Sequence, residues 1–289
     1  NATMGGIDYN IAIGMESQMA NAGGQNIAIG YATLKVADGG ETGNVAIGTS
    51  TMDAVNNDNS DSNVAVGNYS MRGGTGELDR NIAIGHQAMD GTGAVGGQQN
   101  IFIGDNAGGG SWTTAASNSN VAIGATAMSA ALNGALGNTA VGHDTLKAVT
   151  TGDYNVAVGH LSGDALTTGG YNTLLGKGAG SALVSGGTNV AIGYQPLYNG
   201  TANSYAVAIG ARAGYYSTAN YNVYVGYSAG RESRAGGSQV YIGSSAGYYA
   251  SGSYNTFVGY EAGKGGTTSA PFSSGTSNVA VGYQALDAF

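Results

Sequence analysis

Apolar and polar positions along the chain follow one five-residue phrase: Asn, a β-branched residue, a small residue, an aliphatic residue, Gly. It reads NIAIG at 10–14, NVAIG at 44–48, NVAVG at 63–67 and NTLLG at 172–176. The phrase begins at positions 10, 26, 44, 63, 81, 100, 120, 138, 155, 172, 189, 206, 222, 239, 255 and 278. Asn opens fourteen of the sixteen copies, Ala206 and Gln239 being the exceptions, and Gly closes all sixteen. Alternation with a period of two predicts a short β-strand. The flanking aliphatics, such as Val45 and Ile47, then share one face and the middle residue takes the other. Both faces are apolar, so both are expected to be covered. The recurring glycines argue against helix, at about 1 kcal/mol each in a helix interior. The closing Gly is expected at a turn with positive φ, and the opening Asn in a stacked amide ladder.

The copies lie 16 to 23 residues apart, and only the connection after the phrase varies in length. A constant core with variable connections is the behaviour of a stacked coil whose turns lie at the surface. A second column sits three residues after each Gly and is always small or Pro, for example Thr51, Ala107 and Pro196. The next position trades volume with the middle of the phrase. Where the middle is Phe102, Leu174, Tyr224, Tyr241 or Phe257, the later residue is Gly108, Gly180, Gly230, Gly247 or Gly263. Where the middle is Ala, the later residue is Met or Leu in eight of eleven copies, among them Met52, Met89 and Leu146. Interiors are packed to near-crystal density, so the two positions are expected to share one packing layer.

The predicted architecture is all-β: a parallel β-solenoid of about sixteen coils, each with two short strands, in a single repeat domain spanning 1–289. One coil offers few apolar side chains against the entropy of ordering its residues. The remainder must come from coil-to-coil bonding and from a partner. The second apolar face makes a further copy of the chain the natural partner.

Composition sharpens this picture. Leu, Ile, Val and Phe make up only 50 of 289 residues, a share that ordinarily marks disorder. Their strict placement overturns that reading. Glycine accounts for 54 residues, far above its usual share of roughly 7%. The net charge of −8 argues against a nucleic-acid surface. No apolar run reaches the roughly 18 residues of a membrane span, so no membrane insertion is expected of this segment. The absence of cysteine excludes disulfides and thiolate chemistry.

The unit N-[IV]-A-[IV]-G-x-x-[AST] resembles the head repeats of YadA-like trimeric autotransporter adhesins. NVYVGYSAG at 222–230 and NTFVGYEAG at 255–263 resemble still more the longer-period repeats of phage-type tail fibres. The resemblance covers nearly all of 10–289. It implies a left-handed β-roll, three intertwined chains around one axis, and an extracellular attachment role at a cell surface or on a virion. The adhesin heads repeat with a shorter period than this chain. The chain opens on Asn1, as expected of a processed product or a fragment.

Candidate chemistry is sparse. His86, His143 and His160 each follow a repeat Gly, at a turn position also filled by Tyr, Ser, Asp, Asn and Lys. In a threefold assembly they would offer a metal or anion site; otherwise they are turn residues. Asp58 and Asp61 in NNDNSD resemble a loose calcium loop, but the spacing misses the established patterns, which favours a solvated turn. Gly176-Lys177-Gly178-Ala179-Gly180 lacks the spacing of a phosphate loop and falls on the repeat. A glycosidase needs two carboxylates about 5–10 Å apart in a cleft. Nothing in the linear order picks out such a pair, so no enzyme activity and no cofactor are expected.

Aromatics carry the best functional signal. Sixteen of the 19 tyrosines follow residue 150. Those before the Asn or after the Gly are expected to form ladders at the coil corners. Trp112, Tyr215, Tyr216, Tyr248, Tyr249 and Phe272 lie in the variable connections and are the candidate binding residues, for a surface glycan or a protein receptor. Edge packing between chains is the structural alternative. The expected function is a non-enzymatic attachment segment of an adhesin head or tail fibre. The alternatives are a polysaccharide-binding or polysaccharide-degrading tailspike, and an ice-binding solenoid, which would need a flatter Thr array than Thr33, Thr51 and Thr145 provide.

Overall fold

The computed structural model describes residues 9–18, 23–36, 40–266 and 274–287. These residues form an all-β parallel β-solenoid and contain no helix, hence none long and apolar enough to cross a membrane. The chain divides into two compact units, Asn1–Gly152 and Asp153–Phe289.

Each unit stacks eight three-residue strands in sequence order. In the first unit these are Ile11–Ile13, Ile27–Ile29, Val45–Ile47, Val64–Val66, Ile82–Ile84, Ile101–Ile103, Val121–Ile123 and Thr139–Val141. In the second they are Val156–Val158, Thr173–Leu175, Val190–Ile192, Val207–Ile209, Val223–Val225, Val240–Ile242, Thr256–Val258 and Val279–Val281. Every strand is the middle of one repeat phrase. Pairing is parallel and in register, with Ala28 opposite Ala46 and Tyr224 opposite Tyr241.

The middle residue of each phrase points inward, and Ala46, Phe102, Leu174, Tyr224 and Tyr241 are fully buried. The flanking aliphatics point outward. Ile47, Ile84, Ile209 and Ile242 are 37–39% exposed. One of the two apolar faces is thus covered by the chain itself, and the other is only partly covered in the single chain.

The second strand expected in each coil is a local feature. Among the described residues, Leu78–Asp79 pairs with Gly97–Gln98, and a lone bridge joins Asn118 to Leu136. The reason lies in the backbone after the repeat Gly. The second and fourth residues beyond it take positive φ, as at Ser50 (49°) and Met52 (52°), which breaks an extended run. The turns still bond to one another: the Met52 N–H donates to the Ser70 carbonyl at 3.1 Å and the Met71 N–H to that of Ala88 at 2.8 Å.

The repeat Gly is required for space as well as for conformation. Gly124 has a φ of 140°, and a Cβ there would lie 2.4 Å from the Gly142 carbonyl oxygen. The traded volume is also a real contact. A Cβ on Gly108 already sits 2.8 Å from the Phe102 ring, and on Gly247 2.3 Å from the Tyr241 ring. In the Ala-centred repeats, Met52, Met71, Met89 and Met128 fill that layer and are fully buried.

The asparagines form the expected ladder. The Asn63 N–H donates to Asn44 Oδ1 and the Asn81 N–H to Asn63 Oδ1, each at 2.9 Å. Asn81 Nδ2 donates to the same Asn63 Oδ1 at 3.1 Å and to the Gly97 carbonyl at 2.7 Å. The ladder thereby satisfies backbone and side-chain groups that would otherwise be orphaned in the interior. At Ala206 the missing amide is supplied from three residues earlier, by Asn203 Nδ2 donating to the Ala219 carbonyl at 3.1 Å. At Gln239 the longer side chain donates from Nε2 to the Gly252 carbonyl at 2.5 Å and accepts from the Tyr224 hydroxyl at 2.8 Å.

Candidate binding surface

The fifth residue after each repeat Gly lies at the margin of the turn. In five consecutive repeats of the second unit it is Tyr198, Tyr215, Arg231, Tyr248 and Lys264. In-register stacking piles these side chains on one another. Tyr198 and Tyr215 stack with centroids 5.0 Å apart and planes 14° apart. The Arg231 guanidinium carbon lies 5.7 Å from the Tyr215 ring centre and 5.5 Å from that of Tyr248. Backbone bonds fix the order: the Tyr216 N–H donates to the Arg231 carbonyl at 3.0 Å, and the Glu232 N–H to that of Tyr248 at 2.8 Å.

The sixth position widens the patch. Tyr216 meets Tyr215 edge-on at 4.7 Å, and Tyr249 meets Tyr248 at 4.5 Å. Arg234 covers the Tyr216 ring at 4.6 Å and pairs with Glu232 at 3.1 Å. Arg231 also donates to the Tyr248 hydroxyl and lies 3.4 Å from Glu232. Its Nε is buried with no hydrogen-bond partner. Burial works against the Arg231 charge, but Tyr248 and Glu232 outweigh it and hold its pKa above the ordinary value. Burial, then the neighbouring Tyr216 and Tyr198, push the Tyr215 hydroxyl up. The Tyr215 phenol stays neutral at physiological pH while Arg231 stays charged.

Four of the six candidate residues, Tyr215, Tyr216, Tyr248 and Tyr249, are therefore brought together in one half-buried patch. Trp112 is not part of it. It lies in the first unit, only 3% exposed, edge-on to Phe102 at 6.1 Å, with its Nε1 donating to the Gly108 carbonyl at 3.3 Å. The indole occupies room that glycine leaves open: a Cβ on Gly97 would lie 2.4 Å from its ring. Trp112 is a core residue rather than an exposed aromatic. Phe272 lies outside the described residues. Tyr198, Arg231 and Arg234 do not stand out in the sequence. For Tyr198 and Arg231 the signal is the fifth-residue offset from the repeat Gly, in a column that changes residue type from Tyr to Arg; Arg234 stands three residues further on, outside that column.

A second surface runs along the partly exposed strand face. In the second unit Tyr154, Tyr171, Tyr205, Tyr221 and Tyr254 precede the repeat Asn or its replacement, and Tyr194, Tyr227, Tyr260 and Tyr283 follow the repeat Gly; all are exposed. Tyr205 and Tyr221 stack at 5.0 Å, and Tyr260 and Tyr283 at 5.4 Å. These are the expected corner ladders, and they border the outward Val and Ile columns.

The remaining candidates sit in turns. His86 Nδ1 lies 2.9 Å from Asp105, and His143 Nδ1 lies 2.8 Å from Asp144, both at exposed rings. His160 belongs to the second unit. Asp58 is exposed, and Asp61 accepts from the Thr42 N–H at 2.6 Å and its hydroxyl at 3.0 Å. Gly176 to Gly180 form the turn of a repeat, with no helix after them.

Compared with protein-family models, curated proteins and solved structures, the chain matches none.

Proposed function

We propose that this chain is a non-enzymatic structural and attachment segment of an extracellular fibre, of the adhesin-head or tail-fibre kind. In this reading three copies, each a left-handed roll of about sixteen coils, pack around one axis and present their turns to a cell surface. The observation that carries the proposal is the partly exposed apolar face. Val and Ile flank most strand centres but stay partly exposed, as at Ile47, Ile84, Ile209 and Ile242. Fully burying such a side chain is worth about 1.5–3 kcal/mol, and monomeric proteins rarely expose a long contiguous apolar stripe. A further copy of the same face, with the same register and spacing, is the matching partner.

Repetition supplies the mechanism. Identical chains repeat the same weak contacts, and linked sites gain avidity without any new contact. Light scattering coupled to size exclusion tests the assembly. The expected mass is three times the 28.5 kDa of one chain; a monomer would overturn the trimer and with it the fibre reading.

A further inference from the structure

An attachment segment needs a ligand, and the stacked turns of the second unit offer a surface for one. Building on the attachment role, we propose that Tyr198, Tyr215, Arg231 and Tyr248, with Arg234 beside them, form a track for an anionic polysaccharide. The polymer lies along the stacking direction, with about one sugar per turn.

Geometry comes first. In-register turns are spaced by about 4.8 Å, close to the length of one sugar residue in an extended chain. A linear polymer therefore meets an equivalent protein position at every step. Chemistry comes second. Because stacking occupies the ring faces, each tyrosine meets a polymer lying along the stack with its ring edge and its hydroxyl, a group that both donates to and accepts from sugar hydroxyls. Arginine offers a planar fork that matches a carboxylate or sulfate. The column combines these functions, with Arg231 held between Tyr215 and Tyr248 and Arg234 over Tyr216.

Charge decides between neutral and acidic ligands. Residues 1–152 carry twelve carboxylates against four Lys and Arg, so the whole net charge of −8 resides there. Residues 153–289 carry five of each. Around the track, Glu232 alone is shared by Arg231 and Arg234, and Glu261 is paired with Lys264 at 2.8 Å. One glutamate between two arginines leaves a cationic excess in an otherwise acidic chain. The Arg234 side chain is 56% exposed.

The test measures retention of the full chain on immobilised polygalacturonate, alginate, hyaluronan, heparin and polysialic acid. Dextran and methyl-esterified polygalacturonate serve as uncharged controls. We expect binding to at least one acidic polymer, none to the controls, and weakening by salt. Arg231→Gln with Arg234→Gln should lower affinity by about tenfold or more. Arg231→Lys should retain part of it, and Tyr215→Ala should weaken binding with its salt dependence unchanged. Circular dichroism and light scattering on each variant check fold and assembly. Failure to bind any acidic polymer, or equal binding by the double variant, overturns the proposal. So does a change of oligomeric mass in the double variant, which would make the ladder a subunit contact. A wild-type trimer that binds only dextran, or only a protein receptor, would overturn the anionic track and leave the attachment reading standing. A wild-type chain that is monomeric and binds no polymer would overturn both.

Discussion

Phe102 and Gly108 share one packing layer, and neither can be changed alone. Phe102→Ala opens a cavity and should cost about 3–5 kcal/mol in urea unfolding. Gly108→Met crowds the ring, since a Cβ there is already 2.8 Å away. Together the two changes recreate the pairing of Ala83 with Met89, both fully buried. The double variant should regain most of the loss, giving a large coupling energy in a double-mutant cycle. Backbone conformation does not stand in the way, because Gly108 has a φ of 63° and Met89 one of 53°. A charged residue in the first unit gives a second prediction. Burial raises the Asp53 pKa, against the opposing effects of Ser50 and Arg72. The folded chain then binds a proton at a pH where the unfolded chain has released it. Stability from this group is greatest below the ordinary carboxylate range and falls as pH rises through the raised value. Asp53→Asn should accordingly be more stable than the wild type at pH 7. The advantage should shrink toward pH 3, as read from urea midpoints at the two pH values.

At the scale of the element, the asparagine ladder ties each turn to the next. Asn81→Ala removes the acceptor for the Asn100 N–H and the donor to the Gly97 carbonyl, both in the interior. Leaving buried polar groups unmatched should cost about 3 kcal/mol, with unfolding remaining cooperative within the unit. Asn57 offers the control. Its Nδ2 donates to the Thr75 carbonyl at 3.0 Å in an exposed turn, and Asn57→Ala should change stability by no more than about 1 kcal/mol. The natural break at Ala206 restores the donor but not the acceptor, since Asn203 Oδ1 is buried without a partner. The neighbouring Asn203 is buried there and delivers an amide to the same region of the turn. The ladder was legible in the sequence because its members recur at the head of nearly every phrase. The replacement at Asn203 was not, because it stands outside the repeat column and only the folded turn brings it into place.

At the scale of the molecule, the proposed trimer rests on the outward strand face. Ile84 is 38% exposed and Ile123 39% exposed in the single chain. In a monomer, Ile84→Glu with Ile123→Glu would be a surface change worth less than about 0.5 kcal/mol per site. Around a threefold axis the same change would gather six carboxylates in an apolar seam. The expected outcome is a fall of the scattering mass to that of one chain, with the circular dichroism of the solenoid retained. The tyrosine bias of the second unit and the acidic bias of the first also belong to this scale. In the proposed attachment role, residues 153–289 would carry the contact surface.

The strands, their register, the glycine turns, the asparagine ladder and the traded core volumes were all written in the sequence. The reason is physical: in a solenoid each residue contacts its equivalent one repeat away, so the repeat encodes its own packing. Only the tertiary structure decided three other matters. Paired positive φ values after each Gly reduce the second strand to a single short pair and a bridge among the described residues. Trp112 turns inward, because Gly97, within reach of its ring, leaves room for an indole. Arg231 becomes the centre of an aromatic stack, because register places it between Tyr215 and Tyr248 across turns whose connections differ in composition. Periodicity fixes what stacks on its own equivalent, while side chains that fill space left by other residues are placed only by the folded chain.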